Sequence, residues 1–319
     1  MNALSDAALA RLRTAGTWPA FTSDRYTAVE QLGRGGMGTV YLARDAALGR
    51  EVAIKIPNAL ASTALERRLE IEARALAALE HPGIVPIHDV GRLADGRLYY
   101  VMKRVQGRTL REYLVSEGDV AARLRVFERL CDPVAFAHDR GVIHRDLKPE
   151  NVMVGGFGEV TIMDWGGARA RDGGSDAVGP DDEHLVIGTD GFMAPEQARG
   201  NGHVDHRADV YGLGAMLFLM LTNEVPGTDP AGVLRRARVA KPLAAICTKA
   251  LAANPDDRYS TAAALGEEIA RHRAGLSVAA YREGAIERLL RFERTYRAAI
   301  LLVVGYIIMR ALVAFLANL

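Results

Sequence analysis

The chain has 319 residues, of which 49% are hydrophobic and 25% charged, and its 40 basic and 39 acidic side chains leave a net charge of +1. That length suits about two domains or one large bilobal domain with a sizeable core, and the balanced charge gives no electrostatic case for nucleic acid as a partner. Two distant cysteines, Cys131 and Cys247, argue against a disulfide framework and a cysteine zinc site and fit a reducing compartment.

Residues 1–25 form an N-terminal extension. No charged start precedes an apolar run, so it does not read as a secretory signal. Leu4, Ala8, Leu9 and Leu12 instead suggest a short amphipathic helix, packed or only partly ordered. Residues 26–56 read as strands around a glycine turn. Gly33, Gly35 and Gly38 have GxGxxG spacing, which lets backbone amides approach phosphate oxygens. A dinucleotide fold needs a helix next, but the strand-like Thr39-Val-Tyr-Leu-Ala43 follows. The turn therefore joins two strands, as a flap over a nucleotide or as an ordinary glycine hairpin.

In Val52-Ala-Ile-Lys55 a lysine sits on an apolar strand and needs an anionic partner. Residues 62–79 read as a helix, with Leu65, Leu69, Leu76 and Leu79 on one side. Glu72 on this helix suits Lys55, or it is a solvated partner of Arg68. Residues 84–105 are strand-like again. From about 108 helical patterns dominate, interrupted by a glycine- and acid-rich stretch at 171–184. A strand-rich first third and a helix-rich remainder give an α+β chain in two lobes.

The most specific segment is His144-Arg-Asp-Leu-Lys-Pro-Glu-Asn151, ahead of the apolar Val152-Met-Val154. Thr161-Ile-Met-Asp-Trp-Gly166 then places Asp164 directly after a short apolar strand. Asn151 and Asp164 offer oxygen ligands of the kind Mg²⁺ takes. Gly188-Thr-Asp-Gly-Phe-Met-Ala-Pro-Glu196 follows. With these motifs in this order the chain resembles the eukaryotic-like (Hanks-type) Ser/Thr protein kinases of bacteria, over about residues 26–273. Ala280-Tyr-Arg-Glu283 looks like a membrane-anchored subset of them.

The resemblance implies a bilobal protein-kinase-like fold, with a β-rich N-lobe at about 26–105 and a helical C-lobe at about 106–273. It implies transfer of the γ-phosphate of ATP to serine or threonine of protein substrates, autophosphorylation included, with Mg²⁺ or alternatively Mn²⁺. Leu32, Gly33, Arg34, Gly35, Gly36, Met37 and Gly38 would cover the ATP phosphates, and Lys55, held by Glu72, would contact them. Val40, Ala53 and Met153 would enclose adenine, with Met102 as gatekeeper and Lys103–Val105 as the connecting segment. Asp146 would orient the substrate hydroxyl and accept its proton. Lys148 would stabilise the moving phosphoryl group, and Asn151 and Asp164 would hold the metal. Thr189 would bridge Asp146 and Lys148, Glu196 would pair with Arg258, and Asp209 would brace the catalytic loop.

Departures from the family pattern are Trp165 for the commoner Phe, Gly167 after it, and Asp190 and Phe192 for residues that are often Pro and Tyr. Between Asp164 and Glu196 the only hydroxyl residues are Ser175 and Thr189. Asp181-Asp-Glu183 stands where relatives often carry phosphorylatable threonines. It either supplies standing negative charge to Arg145 or forms a solvated acidic loop.

A basic juxtamembrane segment is expected at 274–297 and a transmembrane helix at 298–317. Eleven Leu, Ile, Val and Phe residues there contribute about −3 to −7 kcal/mol to insertion, against about 2.5–3.5 kcal/mol for Arg310. Arg310 would snorkel or pair with a partner helix. Arg282, Arg288, Arg291, Arg294 and Arg297 ahead of the span would place residues 1–297 in the cytoplasm. The expectation is a single-pass tail anchor in the inner membrane, with protein substrates and a homodimer among its partners and no nucleic acid.

Overall fold

The computed structural model describes residues 18–35, 38–57, 70, 73–74, 76–165, 169–170, 189–200 and 204–317. Five antiparallel strands open the fold: β1 (Tyr26–Arg34), β2 (Thr39–Asp45), β3 (Arg50–Ile56), β4 (Ile87–Arg92) and β5 (Leu98–Lys103). Their order in the sheet is β1-β2-β3-β5-β4. The central strand β3 is buried from Val52 to Ile56. This explains why it reads as a continuous apolar run and not as an alternation. Lys55 is the one charge within that run. Register places it opposite Val40 on β2 and Tyr100 on β5, while Ala53 faces Met102.

The segment between the first helical region and β4 belongs structurally to the second lobe. Ile162 donates to the Gly83 carbonyl at 2.8 Å, and Val85 donates back to the Ile162 carbonyl at 3.2 Å. A Cβ on Gly83 would stand 2.9 Å from Cγ of Pro133, so glycine is what allows this close approach. The His81 ring lies 4.8 Å from that of Phe136.

The second lobe begins with β6 (Arg108–Thr109), α1 (Leu110–Ser116) and α2 (Val120–Asp139), followed by β7 (Val142–Ile143), β8 (Val152–Val154), β9 (Val160–Ile162) and β10 (Arg169–Ala170). Caps fix the helix starts. Thr109 and Glu112 form a reciprocal capping box on α1, and Asp119 accepts from Ala121 and Ala122 at the head of α2. The remaining helices are α3 (Pro195–Ala198), α4 (Arg207–Thr222), α5 (Pro230–Arg236), α6 (Lys241–Ala250), α7 (Ala262–Arg273) and α8 (Ala285–Ala317). Helix α4 is apolar on all sides and buried from Ala208 to Met220 except at Tyr211, which makes it the axis of the lobe. Gly214 lets it approach Ala250 of α6, where a Cβ would meet the alanine methyl at 2.8 Å.

Two buried arginines tie these helices together. Arg123 on α2 donates to the carbonyls of Leu114, Glu117 and Met220 and to Oδ1 of Asn223, joining the ends of α1 and α4. The Arg258 side chain is fully buried, binds both carboxylate oxygens of Glu196 at 2.7 Å, and donates to the carbonyls of Ala252, Ala253 and Arg207.

The α+β bilobal architecture agrees with the expectation, but the membrane span at 298–317 is corrected. Among the described residues no helix is long and apolar enough to cross a membrane. The segment is the C-terminal part of α8. Arg310 interrupts its apolar run. The expectation set the summed apolar gain of the segment against the cost of Arg310, and a sum does not register where the charge breaks the run. The tail anchor and the inner-membrane location rested on that span and lose its support.

Removing one partner of a buried ion pair strands the other charge. Glu196→Ala is therefore expected to lower unfolding free energy by about 3–5 kcal/mol, read by urea denaturation. A loss below about 1 kcal/mol would mean that the backbone carbonyls alone satisfy Arg258.

Candidate active site

The site lies where β3, the loop after β7 and the end of β9 converge. Lys55 is buried, and its Nζ binds Oδ1 of Asp164 at 2.6 Å. Its ammonium also sits 5.8 Å from the Tyr100 ring centroid. Glu72, the expected partner of Lys55, lies outside the described residues, as do Gly36, Met37, Ser175, Asp181, Asp182 and Glu183. Asp164 adopts a φ of 51°, a strained value for a non-glycine residue, where the chain leaves β9. Burial pushes its carboxyl up. The Lys55 charge and hydrogen bond, with His144 and Lys148, outweigh this and hold it below the ordinary aspartate value.

The loop from His144 to Asn151 carries most of the polar groups. Oδ2 of Asp146 accepts from Lys148 at 2.7 Å and Oδ1 accepts from the Thr189 hydroxyl at 3.2 Å. Lys148 also donates to the Thr189 hydroxyl at 3.0 Å, closing a triangle. The three residues come from two segments 41 and 43 positions apart in sequence. Asn151 turns Nδ2 to the Asp146 carbonyl at 2.9 Å and to its carboxylate at 3.3 Å, which leaves the amide oxygen as a ligand atom. That oxygen and the carboxylate of Asp164, whose side chain is 41% exposed, form a hard oxygen donor set. Such a set fits Mg²⁺, and Mn²⁺ after it.

What shapes this loop is Asp209 at the start of α4, which is 1% exposed. Its oxygens accept from the backbone N–H of His144 at 2.8 Å, the N–H of Arg145 at 2.8 Å and Nε2 of His138 at 2.8 Å. Burial drives this carboxyl up. The His138 hydrogen bond and charge, then His144, outweigh it, so it stays ionised below the ordinary aspartate range. Arg145 is thereby held at a φ of 66°. Its carbonyl accepts from Gln197 at 2.9 Å, and its guanidinium donates to the Val204 carbonyl at 3.3 Å.

His144 accepts at Nδ1 from the Asp146 N–H, so Nε2 carries the proton that it donates to the Met163 carbonyl at 3.2 Å. The ring packs 4.6 Å from Trp165, which is 1% exposed. The larger aromatic ring at this position is thus accommodated wholly inside the core.

The residues expected around adenine lie on the first sheet, the segment after it and β8. Ala53 and Met102 are buried, while Val40, Met153 and Val105 are half-buried. Lys103 is exposed and its N–H binds the Pro86 carbonyl at 3.0 Å. Sheet pairing stops at Lys103, leaving the peptide groups of 104–106 outside the ladder. In the glycine turn Leu32, Gly33, Arg34 and Gly35 are exposed, and Gly35 donates to the Gly38 carbonyl at 2.8 Å. A Cβ at Gly38 would lie 2.6 Å from the Ile56 carbonyl oxygen, so glycine is required there. Cβ atoms on Gly33 and Gly35 would meet open space.

Sequence reasoning missed His138 and Gln197. His138 acts on the His144–Asn151 loop through Asp209, 71 positions further along the chain, and Gln197 binds the loop from 52 positions away. His138 reads as one polar residue on the last turn of a helix, and no local pattern points to Asp209.

Residues 26–270 match the protein kinase domain family, and the chain belongs to that family. Among similar proteins, the serine/threonine-protein kinase PknB of Mycolicibacterium smegmatis is 40% identical over 282 residues, covering 81% of this chain and 44% of its own length. PknB of Mycobacterium tuberculosis is 39% identical with the same coverage. The serine/threonine-protein kinase PknD of Chlamydia caviae is 33% identical over 293 residues, covering 79% of this chain and 31% of its own. The chain therefore spans less than half the length of these curated relatives.

Asp209 and Asp164 both titrate lower when folded than when unfolded. Their stabilisation is complete above the ordinary carboxylate range near pH 4 and is lost as pH falls through the depressed values. Asp209→Asn is expected to cost about 3 kcal/mol at neutral pH and to flatten the loss of stability below about pH 4. Urea denaturation across that range reads both effects, and an unchanged acid limb would place the acid sensitivity elsewhere.

Proposed function

We propose that this chain is an ATP-dependent protein serine/threonine kinase that phosphorylates protein hydroxyls, its own among them. The observation that carries the reading is the Asp146–Lys148–Thr189 triangle beside Asn151 and the Lys55–Asp164 pair. These contacts bring a carboxylate, two lysines and two oxygen donors together, which supports a base, a cation for the transferring group, two metal ligands and a phosphate-binding lysine in those roles. Membership of the protein kinase family and similarity to PknB support it.

In this reading the exposed glycine turn lies over the phosphates and the peptide groups of 104–106 read the adenine edge. Lys55 exchanges part of its contact with Asp164 for phosphate oxygens, and Glu72 is proposed to share its charge. Asp146 holds the substrate hydroxyl in line and accepts its proton. Lys148 reaches the charge that develops on the transferring group, and Thr189 keeps both side chains in place. Asn151 and Asp164 would hold magnesium or manganese, which when bound would neutralise phosphate charge. The loose transition state asks little covalent chemistry of the protein, so positioning and electrostatics supply most of the acceleration.

Asp146→Asn is expected to lower kcat by about 10²–10⁴-fold with little change in ATP affinity, measured by label transfer from Mg·ATP to a serine peptide. Asp164→Asn should instead weaken Mg·ATP binding, read as a rise in the metal concentration needed for half-maximal rate. Wild-type turnover in the Asp146 variant would remove the assigned base and with it this reading.

A further inference from the structure

We propose that the groove between α5 and α6 is a docking site for an acidic segment of the protein substrate, one with carboxylates on either side of an aliphatic side chain. This deepens the kinase reading above and rests on it.

The groove is a cavity of about 410 Å³, with methyl groups of Ala231, Ala244, Ala245 and Ala280 at its apolar surface and Arg235 and Lys249 among its lining. Residues 230–255 hold Arg235, Arg236, Arg238, Lys241 and Lys249 and no Asp or Glu. Lys241 is paired with Glu287. Arg235, Arg236 and Arg238 are exposed and make no ion pair among the described residues. Lys249 lies over the Tyr259 ring, 4.6 Å from its centroid, so its charge has an aromatic face on one side and solvent on the other. In a chain of net charge +1 this concentration of cations around an apolar floor is local. It selects an anionic partner with an apolar side chain over a neutral or basic one.

The position suits a substrate already engaged at Asp146. Thr189 binds Asp146, and Gly191, two residues on, packs against Val225, where a Cβ would fall 2.1 Å from the valine Cγ1. From Val225 only five residues lead to Pro230 at the head of α5. Even fully extended they span no more than about 18 Å. The segment 279–280 that closes the far side is fixed by its two backbone N–H groups, each 2.9 Å from the Glu268 carboxylate. One face of the groove is therefore tied to the segment around Thr189 and the other to α7.

Two synthetic substrates test this with the full chain. Both carry one serine phosphoacceptor and a flexible linker; one ends in an acidic–leucine–acidic tail and the other in its Asn/Gln counterpart. The acidic tail is expected to lower KM about fivefold at unchanged kcat, and the advantage should shrink as salt rises. Arg235→Glu should abolish the difference while leaving the rate on the neutral-tailed substrate unchanged. Ala245→Trp, which fills the groove without altering charge, should do the same. Equal KM values for the two substrates, or an advantage that survives both substitutions, would overturn the proposal. If neither substrate is phosphorylated, the kinase reading fails separately, and fluorescence anisotropy of the labelled acidic tail decides the groove. Binding lost in both variants supports the site, and no binding overturns it.

Discussion

The loop from His144 to Asn151 takes its shape from one buried carboxylate. Asp209 accepts from two consecutive backbone amides and a histidine, and this places the backbone of Arg145 in a conformation that a non-glycine residue avoids. An ionised group this deep is tolerable only because every strong donor around it is aimed at it. The three hydrogen bonds to the carboxylate offset both its burial cost and the backbone strain at Arg145. Helix α4 bears the anchor because it is the most enclosed helix of the lobe, so a residue fixed at its start moves with the core.

The same economy recurs in the other lobe. A cation at Lys55 is housed in the buried run of β3 and stabilised by Asp164 at the end of β9. Asp164 lowers the cost of burying Lys55, and the pair joins β3 to the end of β9. The two lobes therefore meet through charges that the proposed chemistry also uses, and in that reading a substitution at either one changes lobe contact and catalysis together.

Much of this was legible in the sequence because the motifs are local. The loop from His144 to Asn151 contains its own base, lysine and amide at fixed offsets, and the structure brings Thr189 to them as expected. The strands of the first lobe were legible from the glycine turn and the buried run around Lys55. The contacts that shape the loop were not, because His138 and Gln197 act over long sequence distances through hydrogen bonds that leave no periodicity. The C-terminal helix was read as helix correctly and as a membrane span wrongly. Composition records how many apolar residues a segment has, whereas crossing depends on uninterrupted apolar length, and Arg310 breaks it.

The contact of Gly83 with Pro133 and the pairing of Gly83 and Val85 with Ile162 have a mechanical consequence. They make the segment before β4 a fixed fulcrum on the C-terminal lobe, while β1 and β2 extend away from it as a lever. Rocking of the small lobe would leave the neighbourhood of Asp164 almost still and carry the glycine turn through the largest arc.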